Sequence, residues 1–197
     1  MEQETLFTAS KWEILKLLER GALSPIELAS LSRTSVANVS QQLRLLEMAR
    51  LVKSERVPNR DKGQPRVLYS LADDSCYLIA TAPSFVEKRQ HGLSVHNKII
   101  LRIWFLGDRE AQYFLEKGFW QIEHLLSKLS ALAVSTKGSA ITFHLLTEQL
   151  LPELQPYTVT DANGVSRTIK YVAAAPDKVP HDSHILFDPS NHFGGKK

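Results

Sequence analysis

The chain has 197 residues, 43% hydrophobic and 23% charged, which suits one large domain or two small ones with a buried core. Its one cysteine, Cys76, excludes an intramolecular disulfide, and its longest apolar runs, such as Ile99-Ile100-Leu101 before Arg102, are too short to cross a bilayer. The start Met1-Glu2-Gln3-Glu4 lacks the basic-then-apolar order of a signal peptide, so a cytoplasmic protein without membrane association is expected.

The net charge of +3 hides a contrast. Residues 1–32 hold Lys11, Lys16 and Arg20 against Glu2, Glu4, Glu13, Glu19 and Glu27, a net −2. Residues 33–66 hold Arg33, Arg44, Arg50, Lys53, Arg56, Arg60, Lys62 and Arg66 against Glu47, Glu55 and Asp61, a net +5. A clustered basic stretch is the electrostatic footprint of a polyanion partner, although a solvated surface run has the same composition.

The first helix is predicted over residues 8–20, with Ile14, Leu17 and Leu18 at i, i+3, i+4 and Gly21 as its stop. Ser24-Pro25-Ile26-Glu27 opens a second, short helix: Ser caps, Pro suits the first helical position, and Glu three residues on completes a capping box. It ends near Leu31. Ser32-Arg33-Thr34-Ser35 supplies a turn and another cap. A third helix runs from about Val36 to Ala49, with Val39, Leu43 and Leu46 facing the core. Ala37, Asn38, Gln41 and Arg44 fall on the other side, flanked by Ser40 and Gln42. That slender polar face suits entry into a DNA major groove. Two strands, 51–57 and 66–71, flank a Pro/Asn/Gly-rich basic loop, Pro58 to Pro65, and form a wing.

Residues 72–95 read as a linker containing a short helix from about Ser84. Residues 96–106 are a buried strand or a short helix; periodicity does not decide. Asp108 caps a long helix predicted to reach about Ser135. Its apolar residues Leu115, Phe119, Ile122, Leu126, Leu129 and Ala133 are spaced 4, 3, 4, 3, 4, a heptad-like seam. Strands follow at 140–146, 157–160 and 165–172, the last two joined by a turn holding Asn163-Gly164, with a further short strand at Ile185-Leu186-Phe187. The expected class is α+β: a winged helix-turn-helix domain over 1–82, a connecting segment over 83–108, a small α+β dimerisation or sensing domain over 109–190, and a disordered tail over 191–197.

The order helix, helix, turn, helix, wing resembles winged-helix transcriptional regulators of the ArsR (arsenical-repressor) type and their archaeal relatives. Glu27-Leu28-Ala29, Ser40 to Glu47, Leu51-Val52 and Arg66 to Leu71 carry the resemblance, which spans about a third of the chain. Arg50 stands where that family usually has Gly, so the chain there must adopt a left-handed conformation or turn differently. The third helix has no cysteine pair for metal sensing.

The resemblance implies a third helix in the major groove of double-stranded DNA. Asn38 and Gln41 are the expected base readers, with Ser40, Gln42 and Arg44 as further candidates. Arg33, Thr34 and Ser35 suit a phosphate at the helix start. Arg60, Lys62, Gln64 and Arg66 would meet the backbone or a minor groove. The seam residues Leu115, Phe119, Ile122, Leu126 and Leu129 are read either as a core stripe or as a homodimer contact, the latter because two half-sites multiply affinity. No effector can be named and no cofactor is expected. His181, Asp182, His184, Asp188 and His192 match no closed metal motif and read as a polar tail.

An enzyme is the rival class. Gly138-Ser139 ahead of the strand at 140–146 faintly resembles minimal nucleotidyltransferases, but the strand has no Asp to hold a metal, so the likeness implies an inactive relative. No nucleophile elbow or phosphate-cradling loop is present. RNA or protein binding by the winged helix is the remaining alternative.

Overall fold

The computed structural model describes residues 9–58 and 66–193. The chain divides into two compact units, Met1–Gly92 and Leu93–Lys197.

The first unit opens with α1 (Ala9–Leu18), α2 (Pro25–Leu31) and α3 (Val36–Met48), followed by the antiparallel pair β1 (Val52–Val57) and β2 (Arg66–Leu71). Their apolar faces meet in one core of Ile14, Leu18, Leu28, Ala29, Val39, Leu43, Leu46 and Val52. The capping box at α2 forms as its sequence demands. The Glu27 backbone N–H donates to Ser24 Oγ at 3.4 Å, and the Ser24 backbone N–H donates to Glu27 Oε2 at 2.8 Å. Leu23, just before this cap, exchanges two backbone hydrogen bonds with Tyr69 of β2, at 2.9 and 2.8 Å. This bridge ties the wing to the α1–α2 connection.

The segment expected as a linker is instead a second hairpin, β3 (Ser75–Ala82) and β4 (Phe85–Gly92). Pro83 and Ser84 make its two-residue turn, with Ser84 at φ 68. The eight uncharged residues of β3, with Tyr77 and Ile79 among them, favour a strand; Pro83-Ser84 makes a turn here, although a Ser can equally cap the start of a helix.

The second unit carries α4 (Val95–Trp104), α5 (Arg109–Ile122) and a five-stranded sheet in the order β7-β8-β6-β5-β9. Its strands are β5 (Ala131–Lys137), β6 (Ala140–Leu146), β7 (Tyr157–Thr160), β8 (Ser166–Ala173) and β9 (His184–Phe187). All neighbours are antiparallel except β6 and β8. Residues 96–106 thus resolve as helix, α4, started by a second capping box between Ser94 and Asn97. Ile99 and Ile103 of α4 and Phe114, Leu115, Phe119 and Ile122 of α5 pack on one face of the sheet, against Leu132, Val134, Ile141, Phe143, Leu145, Ile169 and Leu186. The opposite face, at Ala131, Ala133 and Leu146, is covered by Val179 and Phe193. Phe193 is buried, so the expected disordered tail does not begin at 191; residues 194–197 lie outside the described ones.

The long helix is corrected most. α5 ends at Ile122, a 3₁₀ segment covers Glu123–Lys128, and Ala131 begins a strand. The run Ala131-Leu132-Ala133-Val134 is buried on both faces, as a central strand requires. Its alternate positions mimic a continued heptad by coincidence of spacing.

Candidate nucleic-acid interface

α3 begins at a Ser35 cap, where the Asn38 backbone N–H donates to Ser35 Oγ at 3.2 Å. Burying Val39, Leu43 and Leu46 leaves Ala37, Gln41, Arg44, Leu45 and Met48 exposed along one stripe. Ser40 and Gln42 flank it, half-buried. The stripe therefore offers an amide and a guanidinium among small or apolar side chains, the set that reads base edges and thymine methyls. Leu45 and Met48 were not picked out from the sequence as part of it. Their signal was present, since both lie four residues beyond Gln41 and Arg44.

Asn38 is placed differently from Gln41. Its Nδ2 donates to Thr34 Oγ1 at 3.1 Å, and its Oδ1 accepts from Gln42 Nε2 at 3.4 Å. Thr34, Asn38 and Gln42 form a ladder at i, i+4 that occupies both ends of the Asn38 amide. Thr34, Ser35 and Arg33 remain exposed at the helix start. Both turns around α3 use left-handed arginines. Arg33 (φ 53) ends α2, with the Thr34 N–H donating to the Ala29 carbonyl at 3.1 Å. Arg50 (φ 56) ends α3, with the Leu51 N–H donating to the Leu46 carbonyl and the Arg50 N–H to the Glu47 carbonyl, each at 2.9 Å. These are Schellman closures, in which Gly is the ordinary residue at the left-handed position.

In the wing, Arg60, Lys62 and Gln64 lie outside the described residues. Arg66 is described and is engaged: its guanidinium meets Glu27 Oε1 at 3.0 Å, joining β2 to α2. Hydrogen bonds from the Ser24 side chain and backbone, then the Arg66 guanidinium, hold the Glu27 carboxyl below its usual range. Nothing local in the sequence signals a pair 39 positions apart. At the base of the wing, Ser54 Oγ donates to Glu47 Oε1 at 2.7 Å.

The five residues expected at a dimer contact are placed in the second unit's own core. Leu115, Phe119, Ile122 and Leu129 are buried there, and Leu126 packs against them half-buried. The seam is not one continuous helix, and its side chains face their own sheet, the core stripe of the two readings. Gly138-Ser139 closes the β5–β6 hairpin, with Gly138 at φ 57, and β6 carries no carboxylate. Asp188 accepts from the backbone N–H groups of His192 and Phe193, at 2.9 and 3.1 Å, an internal role in turning the C-terminal segment. Among the described residues no helix is long and apolar enough to cross a membrane, and no three His, Cys, Asp or Glu side chains cluster to hold a metal ion.

No curated protein matches the chain significantly. Residues 9–54 do match the family model described as bacterial regulatory protein, arsR family. The match covers α1 to α3 and the start of β1, and the hairpin β1–β2 completes a winged helix-turn-helix, so the N-terminal part of this chain is similar to the arsR-family regulators, a family of DNA-binding transcriptional regulation.

Proposed function

We propose that the protein is a sequence-specific, double-stranded DNA-binding transcriptional regulator that acts as a homodimer. α3 enters the major groove and the basic wing rests on the backbone. The observation that carries this reading is the exposed stripe of α3, with Gln41 and Arg44 projecting from a helix whose opposite face is sealed into the core. Gln41 reads a base edge and Arg44 reads guanine or a phosphate. Thr34 and Ser35 hold a phosphate at the start of α3, where the helix dipole favours an anion. Asn38 buttresses Gln42 rather than reading bases, since its amide is already hydrogen-bonded to Thr34 and Gln42. Arg60 and Lys62 supply sequence-independent affinity. The unit Leu93–Lys197 serves assembly or sensing rather than catalysis.

Selection of preferred sites from random duplexes, followed by fluorescence anisotropy on the selected site, tests the reading. Gln41→Ala is expected to weaken the selected site by about 1–3 kcal/mol and to relax preference at one base position. Arg60→Ala with Lys62→Ala is expected to weaken all duplexes alike and to lower the salt slope by about one per residue. No site enrichment, or preferential binding of structured RNA at the same salt, would overturn it.

A further inference from the structure

The hairpin β3–β4 stands apart from the core of the first unit. Among the described residues, none of the hairpin's side chains joins that core, and it forms a two-stranded sheet of its own. An isolated two-stranded hairpin is at best marginal in water; a third strand or a packing partner is needed to hold it. The side chains of β3 and of the turn end of β4 are those of a buried sheet. Tyr77, Leu78, Ile79, Phe85 and Val86 are all substantially exposed, Ile79 by 56%.

The two edges of this hairpin differ in kind. β4 reads Phe-Val-Glu-Lys-Arg-Gln-His-Gly, and Glu87, Lys88 and Arg89 arm it with the charges that natural edge strands use against unwanted pairing. Glu87 and Arg89 even pair with each other on one face, at 3.6 Å. β3 reads Ser-Cys-Tyr-Leu-Ile-Ala-Thr-Ala and carries no charge over eight residues. It has no Pro and no Gly. An edge of this composition is a template for another strand.

Resting on the homodimer reading above, we propose that β3 is the dimer contact: the free edge of β3 pairs antiparallel with β3 of a second copy, making a four-stranded sheet β4-β3-β3-β4 across the two-fold axis. The charge pattern selects this occupant. A neutral strand meets its own copy without like charges facing each other, whereas a charged strand would bury its charge against Tyr77, Leu78 and Ile79 without a counter-ion. The charged β4 strands then lie outermost in the new sheet and stop further addition, so pairing closes at two copies. An antiparallel arrangement is self-complementary about a two-fold axis, as a dimer with identical patches requires.

The full-length chain tests this by light scattering and by hydrogen exchange across a concentration series. Dimers are expected at micromolar concentration, with amides of residues 75–82 gaining protection as concentration rises and those of residues 66–71 unchanged. Ile79→Lys and Leu78→Lys are each expected to shift the dimer to monomer by at least tenfold in dissociation constant. Val86→Lys, on the outer strand, is expected to leave it intact. Circular dichroism and binding of a single half-site duplex report whether each variant is folded. A folded Ile79→Lys or Leu78→Lys variant that dimerises like wild type overturns the β3 contact and leaves the homodimer standing. A monomeric wild-type protein overturns both.

Discussion

Gly118 lies in α5 where the ring of Phe143 rises from the sheet against the helix backbone, and a Cβ at this position would collide with the ring and crowd Ile169 Cγ2. The same approach lets Tyr171 Oη donate to the Gly118 carbonyl at 2.8 Å and Tyr157 Oη to the Lys117 carbonyl at 3.0 Å. Burial raises both phenolic pKa values, so the hydroxyls stay protonated as donors. Gly118→Ala is expected to destabilise the second unit by about 1–3 kcal/mol, measured by urea unfolding, because the added carbon overpacks a filled site. Phe143→Leu in the same chain is expected to recover part of that loss. His144 is a second residue with a readable consequence. Its Nε2 lies 2.9 Å from Ser135 Oγ on the sheet face opposite the helices, both side chains buried. Burial holds its pKa below the ordinary 6.5, with the Asp182 carboxylate opposing. The unfolded chain therefore takes up a proton at higher pH than the folded one. The stability that neutral His144 preserves is complete above pH 6.5 and is lost as pH falls below it. The melting temperature is expected to drop between pH 7.5 and 5.5, and His144→Gln to flatten that drop.

At the scale of elements, the ends of helices were legible because their chemistry is local. Ser24 with Glu27, and Ser35 before Val36, name their helices within four residues. At Arg50, where the resemblance left either a left-handed residue or a different turn, the structure has the left-handed one, at φ 56. Arg50→Gly is expected to stabilise the first unit by about 0.5–1 kcal/mol in thermal unfolding, because Gly reaches that conformation without a Cβ penalty and loses only backbone entropy in exchange. If the variant is less stable, the Arg50 side chain contributes more than the strain costs. What misled at this scale was apolar spacing. Leu115, Phe119 and Ile122 keep a helical period because α5 is a helix, but Leu129 and Ala133 extend it by accident across a 3₁₀ segment and into β5. β5 is buried on both sides and has no period of its own, whereas α4 buries only Ile99 and Ile103, too few positions to separate a short helix from a strand by period.

At the scale of the whole molecule, the two units each enclose a core of their own, with the boundary between Gly92 and Leu93. The arsR-family match lies wholly inside the first. A fragment of residues 93–197 is expected to unfold cooperatively by itself and to show no duplex binding, while the full chain binds. A fragment that unfolds without a transition would show that its core depends on the rest of the chain. Caps, turns and the amphipathic period of α3 are contained in a few neighbouring residues, so the sequence by itself determined the helix-turn-helix, the wing strands and the stripe holding Gln41 and Arg44. Which partner each surface has is a matter of residues far apart in the chain. Only the tertiary structure decided that Arg66 is paired with Glu27, that the supposed dimer seam is core, and that the supposed linker is a hairpin with one uncharged edge. Such pairings depend on long-range register and packing, which no local pattern encodes.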